Sequence, residues 1–192
     1  MRISSPCENR PTIKDSYRRR LSAESFDNAP DTSSIHGMIL VTESPLVGVM
    51  VAPDERRLVA VRDIPLGTRL YDLDGRETPV PTRYSVQISR TVHLDQGDGL
   101  SDEAIVAQYY WRFMNHDCVP STVIRDRAVF ALRDIAVGDA VTFDYNTTEY
   151  DMAEPFICRC GRPECVGLVK GVRHLTAAQR ARIEPWLPDY LR

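Results

Sequence analysis

Lysine is almost missing from this chain. Of its 24 basic residues only Lys14 and Lys170 are lysine, and the other 22 are arginine; a GC-rich bacterial genome is the expected reason, and a functional bias against self-modifiable lysine the alternative. Net positive charge is missing as well. The formal net charge is −3, so the basic footprint that nucleic-acid binders set against phosphates is not there, and DNA or RNA is not an expected partner. Apolar runs such as Leu46 to Ala52 fall far short of the roughly 20 residues that cross a bilayer. No charged start leads into an apolar signal core. The expectation is a cytoplasmic protein with no membrane partner. Cysteines are few and unevenly spread (Cys7, Cys118, Cys158, Cys160 and Cys165), which excludes the dense disulfide framework of a small secreted domain.

What remains is the balance of a soluble globular chain: 192 residues, 43% hydrophobic and 27% charged, enough for one main domain with appendages. Residues 1–35 are polar, carry the triplet Arg18, Arg19 and Arg20, and show no sustained apolar period; they are expected to form a flexible N-terminal arm. From Met38 onward, short runs of Val, Ile and Leu are broken by Pro, Gly and Asp, the texture of a mainly β fold made of many short strands. One internal echo stands out. Val59-Ala60-Val61-Arg62-Asp63-Ile64-Pro65-Leu66-Gly67 recurs as Phe130-Ala131-Leu132-Arg133-Asp134-Ile135-Ala136-Val137-Gly138, each copy reading as strand, turn with a positive-φ glycine, strand. Helical signals are confined to two places. Ser101-Asp102-Glu103 can cap a helix to about Tyr110, and Thr176 with Gln179 makes a capping box for a C-terminal helix that Pro185 stops or bends.

The chemistry concentrates at the C-terminal cysteines. Cys158-Arg159-Cys160-Gly161-Arg162-Pro163-Glu164-Cys165 can turn three thiolates toward one point, and zinc takes four such ligands in a tetrahedron. Cys118, the other cysteine inside the expected core, is the natural fourth; free thiols or two disulfides are the bland alternative.

Two further stretches share this order: Arg112-Phe113-Met114-Asn115-His116-Asp117-Cys118-Val119-Pro120, then Gly138 through Thr142-Phe143-Asp144-Tyr145. RFxNHxCxP, followed by GxxxTFDY and FxCxCGxxxC, resembles the SET-domain family of S-adenosylmethionine-dependent lysine methyltransferases with a post-SET zinc segment. The likeness runs over roughly residues 45 to 175. It implies a β-clip or SET fold: short curved sheets around a pseudo-knot, few short helices, and a post-SET segment with a helix. The implied division is a catalytic domain over 36–157 and a zinc segment with helix over 158–192. The implied cofactors are S-adenosyl-L-methionine and Zn2+, with zinc on Cys118, Cys158, Cys160 and Cys165.

Residue by residue, the resemblance assigns Tyr145 to the methyl-transfer channel, Phe143 to the lysine pocket and Tyr84 to the channel strand. Asn115 and His116 are assigned to the cofactor, Arg112 to bracing their segment, and Phe156 and Leu168 to the cofactor's apolar surroundings. Where the family carries GxG, this chain reads Glu55-Arg56-Arg57-Leu58, which puts Arg57 and Leu58 at the cofactor without a glycine. The acceptor implied is a lysine-bearing protein or peptide. A small amine is the second reading, and a non-catalytic peptide-binding module the third. Charge agrees with a cationic acceptor, because Asp134 to Ile157 holds six acids and no Lys or Arg.

Overall fold

The computed structural model describes residues 38–192, Asp54 excepted; the arm expected over 1–35, with Cys7, lies outside the described residues. Among the described residues, five small sheets account for the strands. β1 (Met38–Val41), β2 (Val47–Ala52) and β3 (Glu55–Ala60) form an antiparallel meander. β4 (Arg69–Asp72), β9 (Thr122–Arg125) and β10 (Ala128–Ala131) make a second sheet with β10 central. β5 (Arg76–Thr78), β6 (Val86–Gln87) and β7 (His93–Asp95) make a third with β7 central. Two residue pairs complete the set: β8 (Asn115–His116) with β11 (Thr142–Phe143), and β12 (Phe156–Ile157) with β13 (Leu168–Val169). The mainly β architecture anticipated from the short apolar runs is the one observed.

Both helical signals sit where expected. α1 (Asp102–Gln108) starts at Ser101, whose hydroxyl accepts from the Ala104 amide, and it gives way to a 3-10 turn over Tyr110–Phe113. α2 (Ala177–Ile183) carries the complete Thr176/Gln179 capping box, and Pro185 falls inside the 3-10 turn that follows it.

The internal echo closes on itself in space. Ile64 and Ile135 exchange both main-chain hydrogen bonds at 2.9 Å. The Asp134 carboxylate accepts from the Leu66 amide at 2.7 Å, and the Asp63 carboxylate accepts from the Val137 amide at 2.9 Å. Each repeat therefore caps the other's turn. Gly67 and Gly138 stand at φ 80° and 87°, a region that penalises any Cβ. Around this clasp lies the main core, with Leu58, Ile64, Leu94, Val129, Ile135 and Val141 almost wholly buried. A smaller core of Val172, Ile183, Leu187 and Leu191 closes the C-terminal segment. The Tyr190 hydroxyl fastens that segment, donating to Gln87 O at 2.6 Å and standing 3.2 Å from Thr148 O.

Candidate active site

The site is built where β8 and β11 run side by side in parallel, Asn115 opposite Thr142 and His116 opposite Phe143. This pairing joins segments far apart in sequence, as the expected pseudo-knot requires. It is extended by the Asp117 amide donating to Phe143 O at 3.2 Å and the Tyr145 amide donating to His116 Nδ1 at 3.2 Å. Beyond β11 the chain turns into a short 3-10 helix over Tyr145–Thr147, started by the Asp144 carboxylate accepting from the Asn146 amide at 2.9 Å. That turn swings the Tyr145 ring back over β8. Its hydroxyl donates to Met114 O at 2.8 Å.

A cleft of about 440 Å³ opens here, and Tyr84, Arg112, Asn115, His116, Phe143, Tyr145 and Phe156 all line it. The Tyr145 ring centroid lies 4.7 Å from that of Phe143 and 5.8 Å from that of Phe156. Tyr84 stands at the rim, 45% exposed, with the Arg112 guanidinium 3.9 Å over its ring. Arg112 also donates to Gln96, while its Nε is buried with no hydrogen-bond partner among the described residues.

Three expected cofactor residues are not brought to the cleft. Leu58 is fully buried in the main core, in the half of β3 where Leu58, Val59 and Ala60 are all enclosed, so both faces of the strand are covered there. Arg57 contacts Met50 and Glu55 instead. Leu168 is 48% exposed while its neighbour Val169 is fully buried, so the two-residue period of β13 points Leu168 away. In their place the cleft wall includes Trp111, Met114 and Glu149, which the motifs did not single out. Glu149 had appeared only as one acid among six.

Burial sets the site's electrostatics. It pushes the Tyr145 phenol up to about 12, with the Glu149 charge adding to the rise. Burial lowers the His116 imidazole and raises the Asp144 carboxyl, so each is drawn toward its uncharged form although they stand 3.5 Å apart. Since His116 Nδ1 accepts the Tyr145 amide, its proton sits on Nε2, 3.2 Å from Cys118 Sγ. The His116 side chain is only 1% exposed, so what this residue offers an occupant of the cleft is chiefly main chain.

Cys118, Cys158, Cys160 and Cys165 meet on the other side of His116, their sulfurs all within 4.8 Å of one another. A tetrahedral zinc with Zn–S of about 2.3 Å needs sulfurs about 3.8 Å apart; Cys118 and Cys158 stand at 3.9 Å. Main-chain amides are already turned toward the sulfurs, Val166 N to Cys118 at 3.5 Å and Gly167 N to Cys165 at 3.4 Å. The donor set fits zinc, and burial, which pushes the Cys118 thiol up, makes a bound cation the natural means of keeping it ionised.

A β fold with this parallel junction, aromatic cleft and cysteine cluster belongs to the SET domain family, whose profile matches residues 16–146. Among curated proteins the chain is 36% identical over 105 residues to methyltransferase flvH of Aspergillus flavus, covering 51% of this chain and 57% of that protein. It is 31% identical over 140 residues to the H3 lysine-36 specific histone-lysine N-methyltransferase of Yarrowia lipolytica, covering 64% of this chain and 18% of that one. The chain thus spans about half of the first relative and under a fifth of the second. A solved structure, the methyltransferase domain of human histone-lysine N-methyltransferase SETMAR, aligns with a TM-score of 0.47 at 16% identity, over 63% of this chain and 56% of that one.

Proposed function

We propose that this chain is an S-adenosyl-L-methionine-dependent N-methyltransferase acting on a lysine side chain of a protein or peptide, with a catalytic domain over 36–157 and a zinc-bearing post-SET segment over 158–192. The observation that carries the reading is the Tyr145 hydroxyl, committed to Met114 O in a cleft walled by Phe143, Asn115 and Phe156. Family membership and the H3 lysine-36 specific relative support the same acceptor.

When bound, S-adenosyl-L-methionine supplies a methyl group made electrophilic by its sulfonium. The residues present suit such a guest. Arg112 offers a buried, unpartnered Nε donor for a carboxylate, Asn115 offers an exposed amide and main chain, and Phe156 offers an apolar ring. Tyr145 is no base, because a phenol pushed up to about 12 keeps its proton near neutral pH. Its proton goes to Met114 O, which leaves the oxygen lone pairs for an N–H of the incoming amine. The ring and oxygen then orient that amine, and good alignment can supply about 7–11 kcal/mol. Zinc on Cys118, Cys158, Cys160 and Cys165 would staple the C-terminal segment behind β8, through the Cys118 thiolate and His116.

The test is calorimetric titration with S-adenosyl-L-methionine, followed by a transfer assay with labelled methyl groups on lysate proteins and metabolites. Saturable binding and label on protein lysine are expected. Label on a small amine would move the acceptor to that class, and a folded chain that binds no cofactor would overturn the reading.

A further inference from the structure

Glu149 is the buried acid in the cleft wall that no motif explains. The other acid lining the cleft, Glu154, is exposed and faces Arg83 at 3.8 Å. Glu149 is different. One of its oxygens accepts from the Gln87 amide at 2.8 Å and lies 3.3 Å from the Thr148 hydroxyl. Its second oxygen, Oε2, accepts no hydrogen bond among the described residues; its nearest ionic neighbour is His93 Nε2 at 3.9 Å. No arginine or lysine is paired with the carboxylate among the described residues. A buried carboxylate held by one oxygen, with the other free at a cleft, lacks a cation or a proton.

Resting on the methyltransferase reading above, we infer that Glu149 is the proton acceptor for the substrate ammonium, and that the acceptor therefore enters the cleft as a primary alkylammonium ion. The step is a single proton transfer: an N–H bond of the ammonium breaks, an O–H bond forms at the Glu149 carboxylate, and nitrogen keeps the electron pair with which it attacks the methyl group. The proton afterwards leaves to water through the cleft. The groups facing Glu149 suit this role. Burial lowers the His93 imidazole, so it stays uncharged at neutral pH and does not neutralise the acid. Tyr145 and Tyr190 are both phenols raised by burial and by the Glu149 charge, so neither competes as a base. Arg83, the cation at the rim, is engaged by Glu154. Burial also pushes the Glu149 carboxyl up to about 7, which puts it in the range where a general base works best at neutral pH.

The test compares the full chain with Glu149→Gln, which keeps an oxygen for the Gln87 amide, and with Glu149→Asp, which withdraws the carboxylate by one methylene. Rates of labelled methyl transfer to total lysate protein are followed from pH 6 to 10. Wild type should lose rate as pH falls through about 7. Glu149→Gln should be slower by about 100-fold at pH 7, lack that limb, and recover toward pH 10 as free amine, of ordinary pKa about 10.4, becomes available from solution. Glu149→Asp should be slower yet keep the limb. Cofactor affinity should be unchanged in both. A second readout needs no turnover: n-butylamine, added as a probe, should shift the Glu149 carboxyl carbon in the NMR spectrum of the wild-type chain. A Glu149→Gln deficit that is absent or independent of pH, or no shift with n-butylamine, overturns the inference while leaving the methyltransferase reading intact. A wild-type chain that transfers no methyl group overturns both.

Discussion

Replacing Tyr145 by phenylalanine isolates one hydroxyl. The ring keeps its packing against Phe143 and Phe156, and only the 2.8 Å hydrogen bond to Met114 O is lost. A buried carbonyl left without its donor costs about 1–2 kcal/mol, which for a domain of this size is a drop in Tm of about 3–6 °C. The effect on rate should be of another order. Removing a single preorganised polar group from a transfer site typically lowers kcat by about 10²–10³-fold, so transfer should fall to about 1–0.1% of wild type while cofactor affinity stays within about threefold. Calorimetry, a thermal melt and the labelled-methyl assay on the same preparation separate the three quantities. Because the phenol titrates at about 12, the variant should keep the wild-type pH dependence near neutrality. Tyr145→Phe protein with rates within threefold of wild type would refute the assignment, and so would a variant that has lost rate and cofactor affinity together.

Metal analysis should find one zinc per chain, and Cys158→Ser or a strong chelator should loosen the C-terminal segment and, through Cys118 and His116, cost activity; freshly purified protein without zinc would count against the site. Phe143, 5% exposed beside Tyr145, adds no hydroxyl to hold a water or the amine, so mass spectrometry should show di- or trimethyl product from the wild type and a shift toward monomethyl in Phe143→Tyr; a wild-type reaction halting at monomethyl with active enzyme would refute this. Glu149 also predicts how stability depends on pH. Its carboxyl is raised to about 7 from an ordinary 4.5, so between these values the folded chain holds the proton that the unfolded chain has lost, and the stability this proton brings fades as pH rises through about 7, by about 3 kcal/mol. Glu149→Gln escapes that loss, and thermal melts at pH 5 and pH 8 should show it gaining on wild type at the higher pH; equal gaps at both would contradict the burial argument.

Local signals were legible in the sequence because their physics is local. The Ser101 and Thr176 caps and the stop at Pro185 each depend on residues within one turn of the chain and appear where expected; the two RDIxxG turns keep their positive-φ glycines, but their capping by each other's aspartate is a long-range contact. Three of the clustered cysteines were legible for a similar reason, since they lie within eight residues, whereas Cys118 joins them only through the fold. Tyr84, Arg112, Asn115, His116, Phe143, Tyr145 and Phe156, singled out by resemblance, all line one cleft. Which way a strand residue points was another matter. Leu168 lies in a strand whose pleat turns it out to solvent while Val169 is buried, and a one-residue change of register would reverse the two; Leu58 is buried because β3 is enclosed on both faces there, Val59 being buried as well. Glu149 was hidden for a deeper reason. Its burial comes from the Gln87 amide 62 positions away and from β7, which brings His93 alongside. In sequence it is one more acid in an acidic stretch; only the tertiary structure buries it in the cleft wall and leaves its second oxygen without a hydrogen bond among the described residues.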